Sequence, residues 1–376
     1  MYTELHARSV FSFLEGASIP EELASVCVER GMTAMAVLDR DGVYGAPRFY
    51  QAAKKNRMQA HIGAEITSPA GWRYALLVES REGYQNLCRA ITRMKLRARK
   101  NEGHIAADEL AEFKAGLICL TGGEEGPLAD ALKTGGISRG TECVRELCEI
   151  FGRENVYVEL QRHYCREEEA RNQAAVEIAR KLSLPLLATN GVSHAQLGER
   201  ELLDVFTCIR NHCNLATAGR LLSRNPERHL KTPAEMVQLF ADLPEAIANT
   251  QTLSSRLQFT LKDLGYEFPK YPVPNGGTQM QFLRECTRDG MISRYGPDNQ
   301  KARLQIDREL ALIEKLDLPG YFLIVWDIVR DVYKRQLRTF LTIFFAGRFA
   351  GCDANIVVSR FRGTEMCIRD RLNGGA

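Results

Sequence analysis

The chain lacks paired cysteines. Its 11 cysteines are scattered singly with no Cys-x-x-Cys, which argues against a zinc ribbon or a disulfide framework and for reduced thiols in the cytoplasm. It also lacks any apolar run near the roughly 18 residues of a membrane helix, and no signal peptide opens it, so no membrane association is expected. Solenoid repeats and low-complexity tracts are missing too. A global charge excess is absent in substance: the formal charge is +3, but residues 331–376 hold 8 of the 50 Lys and Arg and 4 of the 47 Asp and Glu, leaving 42 basic and 43 acidic residues in 1–330. Basic character is therefore local and does not form a whole-molecule field. What remains, 376 residues with 45% hydrophobic and 26% charged content, is ordinary globular composition with room for two or more domains.

The organising stretch is Thr33 to Thr67. Ala34–Leu38 is a short apolar run of the kind buried in a parallel sheet. Asp39-Arg40-Asp41-Gly42 follows at its C-terminal end, where α/β folds place their chemistry. Pro47 opens a helix carrying Phe49, Ala52 and Ala53, and a second strand delivers Glu65 nearby. The reading is a carboxylate cluster at one end of a sheet.

Around this unit, strands are expected at Tyr2–His6, Trp72–Val78, Ala115–Leu120, Val156–Leu160 and Leu184–Ala188. Helices are expected at Glu21–Arg30, Gly83–Arg99, Gly140–Phe151 and Arg166–Leu182. Ser18 with Glu21 fits a capping box, and Gly31 suits the residue past a helix end. The alternation predicts an α/β fold with a parallel sheet or barrel over residues 1–200. Residues 201–330 read as an all-helical connector: Glu201–Arg210, Pro233–Ala241, Pro244–Arg256, Gln279–Arg294 and Lys301–Lys315, with a Pro- and Gly-rich linker at Phe268–Gly277.

Residues 331–376 do not fit. Asp331–Gln336 back-translates to GAT GTG TAT AAG AGA CAG, and Met366–Arg371 to the same string one base out of frame. That string resembles the end of a transposase-based sequencing adapter, so this tail is excluded from fold reasoning, including the apolar segment Phe340–Ala346.

The remaining motifs resemble one family. LHARSVFSFLEGAS, AVLDRDGVYGAPRFYQAAKK, IGAEI, ESREGYQNLCRAIT, LICLTGG, VELQRH and LPLLATNGVSHA occur in order and are similar to the N-terminal polymerase-and-histidinol-phosphatase (PHP) domain of bacterial C-family DNA polymerase III alpha subunits. HLKTPAEMVQLFADLPEAIANT, YEFPKYPVP and ELALIEKLDLPGYFLIVWDIVR resemble the helical connection to the polymerase palm. LDRDGVYG with LATNGVSHA resembles the error-prone branch. The resemblance implies a distorted βα barrel whose rim can bind up to three divalent metals, and a parent enzyme that joins nucleotides with Mg²⁺ on palm aspartates. It also implies DNA, translesion accessory proteins and a sliding clamp as partners.

The family's ligand pattern is broken here. His6 matches the first ligand, but Arg8 stands at the second His position and Arg40 at the His after Asp39. Glu65 matches, His163 falls near a later ligand, and in Thr189-Asn190-Gly191-Val192-Ser193-His194 the Asp position is Gly191 and the His position Ser193. His194 comes one place late. A guanidinium has no lone pair for a metal and repels cations at close range, so Arg8 and Arg40 are expected to pair with Asp39, Asp41 and Glu65. His6 alone reads more readily as a hydrogen-bonded core histidine than a ligand, and Cys165 has no evident base beside it.

The strongest basic patch is the helix with Arg89, Arg93 and Arg97 at every fourth residue, a candidate DNA contact or a solvated face. Neither Gly122-Gly123 nor Gly276-Gly277 forms a phosphate loop. Three functions are therefore weighed: an inactive PHP scaffold and connector of an error-prone polymerase with no metal, an active metal-dependent phosphoesterase or 3′–5′ exonuclease, and a non-catalytic partner-binding module. No palm aspartate pair is found, so neither catalytic residues nor a cofactor are expected in this span.

Overall fold

Seven apolar strands define the first of two compact units, Met1–Gly265 and Tyr266–Ala376. In a computed structural model of the chain, which describes residues 2–99, 102–264 and 270–330, β1 (Glu4–Ala7), β2 (Ala34–Arg40), β3 (Gln59–Thr67), β4 (Arg73–Val78), β5 (Leu117–Leu120), β6 (Val156–Leu160) and β7 (Leu186–Ala188) form one sheet in sequence order. The pairs β1–β2, β2–β3, β5–β6 and β6–β7 are parallel. The strand β4 is antiparallel to both neighbours, so within the expected α/β barrel-like fold one strand departs from the parallel pattern. The link from β3 is a tight turn, with Ser68 N–H donating to the Trp72 carbonyl (2.9 Å) and Gly71 N–H to that of Ser68 (3.0 Å). So short a link can join antiparallel strands only.

The sheet curls. Arg8 N–H donates to Val192 O (2.8 Å) and Val192 N–H to His6 O (3.0 Å), bringing the end of β1 beside the segment that follows β7. Period-two alternation then points one side chain set inward: Leu5, Ala36, Leu38, Ala75, Leu77, Ile118, Leu120 and Leu187 share a buried cluster with Leu253 and Leu257. The outer face carries the larger apolar core beneath α1 (Pro20–Glu29), α2 (Ala46–Lys55), α3 (Arg81–Leu96), α4 (Ala107–Ala111), α5 (Pro127–Phe151) and α6 (Arg166–Leu182). The helix α5 starts earlier than expected and bends at Gly135-Gly136, where Gly136 takes φ +61°.

After β7 come α7 (Arg200–Arg210), α8 (Leu215–Ala218), α9 (Pro233–Leu239) and α10 (Pro244–Arg256). The sequence reading ends the barrel domain at residue 200, but α10 packs against β7 and β1. It brings Leu253 into the interior and sets Ser254 Oγ 2.7 Å from His61 Nε2. By sealing the barrel floor, α10 packs as part of the first unit. The expected capping box is also absent. Ile19 caps α1, Ser18 Oγ donates to Glu199 (2.7 Å), and Glu21 pairs with Arg48 (2.7 and 2.9 Å). Ser18 is fully buried, so its hydroxyl serves the 195–199 turn.

In the second unit, α11 (Gln279–Tyr295), α12 (Gln300–Lys315) and helical residues 319–330 enclose a small core of Leu283, Leu310 and Leu323. Part of the Phe268–Gly277 linker and all of 331–376, including Phe340–Ala346, lie outside the described residues. No helix among the described residues is long and apolar enough to cross a membrane.

Candidate functional site

The strands' inner positions turn polar at one end of the barrel. On β3, His61, Gly63 and Glu65 alternate inward, and a Cβ at Gly63 would sit 2.2 Å from the Leu76 carbonyl oxygen, so the strand can pack there only as glycine. On β6 the inward set ends in Glu159 and Gln161. Because β4 runs backwards, its first residue, Arg73, arrives at the same rim. Pairing on β1 is irregular between Glu4 and Ala7, and this lets His6 and Arg8 both reach in.

These side chains form a dense ion-pair network. His6 lies between two carboxylates, with Nε2 2.7 Å from Glu65 and Nδ1 2.7 Å from Glu159. Arg8 forks onto Glu65 (2.8 and 2.7 Å) and also donates to Glu125. Arg73 donates to Glu15 (2.7 and 3.1 Å) and reaches Glu65 (3.3 Å) and Glu125 (3.4 Å). Glu15 also takes Arg40 (2.5 Å) and Arg210 (3.1 Å). Burial alone would lower the His6 pKa, but Glu159 and Glu65 outweigh it and hold it at about 10. The ring is thus an imidazolium donating from both nitrogens. Burial opposes ionisation of Glu65, yet Arg8, His6 and Arg73 hold its pKa well below the usual carboxylate range. Arg8 brings Glu125 down to about 2. In contrast, burial raises Glu4 to about 7 against hydrogen bonds from the Tyr2 hydroxyl and the backbone of His6 and Asn190.

Of the residues singled out in sequence, His6, Arg8, Arg40 and Glu65 meet in this network and the others do not. Asp39 has no arginine partner: it accepts from Ser9 N–H (2.8 Å), the Ser9 and Ser12 hydroxyls (2.9 and 2.8 Å) and Gly45 N–H (3.2 Å). Its expected pairing with Arg8 or Arg40 is corrected, because the loop after β1 folds over it. Asp41 accepts from Thr67 N–H and Oγ (2.8 Å each) and lies 3.4 Å from Arg40. His163 is satisfied by Glu168 (2.7 Å) and the Asn190 carbonyl (2.8 Å). The Asn190 side chain donates to His229 O (2.6 Å) and accepts from Lys231 (3.2 Å). His194 turns to Ser193 Oγ (3.0 Å) and Pro226 O (3.2 Å), and burial lowers it to about 4. Cys165 Sγ donates to the His163 carbonyl (3.5 Å), and burial pushes its thiol up.

Sequence reasoning missed Glu15, Arg73, Glu125 and Glu159. Glu159 and Arg73 carry a usable signal, since each is a charged residue on an apolar strand in phase with inward neighbours. Glu15 and Glu125 sit in loops, where no period marks them.

The metals implied by the resemblance require an open set of lone pairs. Here each carboxylate of the rim is engaged by protein donors. One buried oxygen of the cluster, Glu159 Oε2, has no partner among the described residues, and one oxygen does not make a metal shell. Among the described residues no group of three or more His, Cys, Asp or Glu is arranged to hold a metal. The donor set does not fit the family's metals.

On α3 the arginine stripe is largely spent. Arg93 pairs with Glu112 (2.7 Å) and stacks on Phe113 (4.5 Å). Arg97 binds Glu109 and the His104 carbonyl (2.5 Å), and Arg89 touches Asn86 (3.4 Å).

Comparison with known proteins places the two parts of the chain. Residues 4–163 match the PHP domain, and residues 281–341 match the bacterial DNA polymerase III alpha NTPase domain. The error-prone DNA polymerase of Mycolicibacterium paratuberculosis is 34% identical over 343 residues, covering 88% of this chain and 31% of that protein. That of Pseudomonas aeruginosa is 34% identical over 374 residues, covering 99% and 34%. The chain thus spans about a third of the length of these relatives. Among solved structures, an amidohydrolase from Chromobacterium violaceum is 10% identical, covering 52% of this chain and 88% of that one at a TM-score of 0.36, too slight a likeness to carry weight. With a PHP domain at residues 4–163 followed by the alpha-subunit segment at 281–341, the chain is similar over most of its length to about a third of the length of bacterial error-prone DNA polymerases.

Proposed function

We propose that this chain is scaffold within an error-prone DNA polymerase, its PHP rim braced by ion pairs where active relatives of the fold use divalent metals. The observation that supports this most is Arg8 forked onto Glu65 while His6 bridges Glu65 and Glu159. Bound metals would supply an activated water for phosphoester hydrolysis. Here the arginine and imidazolium protons occupy the lone pairs such ions would need, and they balance the buried carboxylates by themselves.

In this reading the rim performs no chemistry. It locks β1, β3, β4 and β6 together at the barrel end. Template-directed synthesis with Mg²⁺, contacts with DNA, translesion partners and a sliding clamp, and a cytoplasmic location are assigned to the whole polymerase. No residue of 1–330 is given a catalytic role.

The test is turnover. The purified chain is incubated with a primed template, nucleotides and Mg²⁺, and separately with a 3′-mismatched primer and Mn²⁺ or Zn²⁺. The expected result is neither extension nor shortening of the primer. Primer shortening lost on Glu65→Gln would overturn the scaffold reading in favour of an active phosphoesterase.

A further inference from the structure

The network beneath the rim also fastens a loop that presents an aromatic ring to water. Residues 9–16 are tied down from below by Asp39, which takes both the Ser9 and Ser12 hydroxyls, and by Glu15, held by Arg40, Arg73 and Arg210. Within the loop, Ser12 N–H donates to Ser9 O (2.9 Å) and Glu15 N–H to Ser12 O (2.8 Å). A Cβ at Gly16 would lie 2.1 Å from the Ser9 carbonyl oxygen, so the winding is too tight for any other residue. Leu14 takes φ +62°, a conformation costly for leucine. Phe13 is left 78% exposed on a loop too well fastened to turn it inward.

Phe13 borders an open groove of about 880 Å³ walled by Phe11, Tyr44, Lys95, Arg99 and Arg210. Tyr44 is also exposed, and Lys95 Nζ lies 5.3 Å from its ring centroid. Of the seven described non-glycine residues with left-handed backbone, three (Leu14, Asp41 and His212) line this groove. Asp41 is the only carboxylate among the lining residues apart from the described network below, and Thr67 and Arg40 consume it. Lys95 and Arg99 have no carboxylate partner among the described residues.

We propose that this groove binds single-stranded nucleic acid, with bases stacked on Phe13 and Tyr44 and phosphates at Lys95 and Arg99. Exposed aromatics interleaved with free cations are the pairing that holds unpaired strands, because every base offers a ring face and the backbone is anionic. A duplex buries those faces in its own stack. Rigid presentation of Phe13 adds to the fit, since little ordering remains to be done on binding.

The test is fluorescence anisotropy of labelled oligo-dT titrated with the full chain at low salt. Phe13→Ala and Tyr44→Ala are each expected to weaken binding about fivefold or more. Lys95→Ala with Arg99→Ala should reduce the slope of log affinity against log salt by about 1.4. Duplex DNA of equal length should bind at least about tenfold more weakly than oligo-dT, for want of free base faces. Both ring substitutions are at exposed positions, and thermal melting verifies that the variants fold. Absence of binding, binding indifferent to both rings, or equal binding of inorganic polyphosphate would overturn the proposal. Turnover is not read, so either outcome leaves the scaffold reading of the rim standing.

Discussion

Arg8→Ala lowers the stability of the first unit by about 3 kcal/mol, the range for breaking one partner out of a buried ion pair. The argument is one of orphaned charge. The Glu65 side chain is 3% exposed and takes both arms of the Arg8 fork. Without Arg8 it keeps only His6 and a 3.3 Å contact to Arg73, and Arg73 is shared with Glu15 and Glu125. Adding Glu65→Gln to the alanine variant should recover part of the loss, because the uncompensated charge then disappears. The chain has 2 tryptophans, Trp72 in the first unit and Trp326 in the second. Urea unfolding read by fluorescence in a Trp326→Phe background therefore reports the barrel alone. A loss below about 0.5 kcal/mol, the level of an ordinary surface change, would mean the fork is not a structural tie.

The second large effect is alkaline sensitivity. In the unfolded chain His6 titrates near 6.5, whereas in the fold Glu159 and Glu65 hold it protonated to about 10. Its stabilisation is complete below the unfolded value and is lost as pH climbs through the folded one. Glu4 acts in the same direction, its pKa raised from 4.5 to about 7: its contribution is present below 4.5 and gone above 7. Glu125, lowered to about 2, contributes above 4.5 and fails only in strong acid. The melting temperature should therefore fall between pH 7 and pH 10, by about 10 °C if several kcal/mol are lost. His6→Gln should melt lower at pH 7 and then show little of that fall. A His6→Gln variant with the full alkaline slope would place the titrating group elsewhere.

How much of this was legible in the sequence divides along physical lines. Elements with a strong period, such as the Ala34–Leu38 strand and the helices Arg166–Leu182 and Pro244–Arg256, lie close to where the pattern puts them. That Arg8 and Arg40 stand at positions where the family resemblance implies histidines comes from the motifs, and that a guanidinium cannot ligate a metal comes from its chemistry. The partner of Arg40 was not readable, because Glu15 lies in a loop fixed by turn hydrogen bonds and by Arg73 from an antiparallel strand. Asp39 reads as part of a carboxylate cluster from its place at a strand end, but its surroundings are set by Ser9 and Ser12, which local pattern does not connect to it. The arginine stripe on α3 illustrates the reverse case. Its helical spacing was plain, but whether it stays free depends on Glu109 and Glu112, which α4 and its C-cap bring across from another part of the chain.

Metal content most directly tests the central claim that ion pairs have replaced metals at this rim. The purified chain, dialysed against Mn²⁺ or Zn²⁺ and then freed of excess, is analysed by plasma mass spectrometry alongside its melting temperature with and without EDTA. The account predicts well under one equivalent of either metal and no shift on chelation, because no ligand-bound state exists to stabilise the fold. One or more equivalents, with a melting temperature that drops in EDTA, would contradict it.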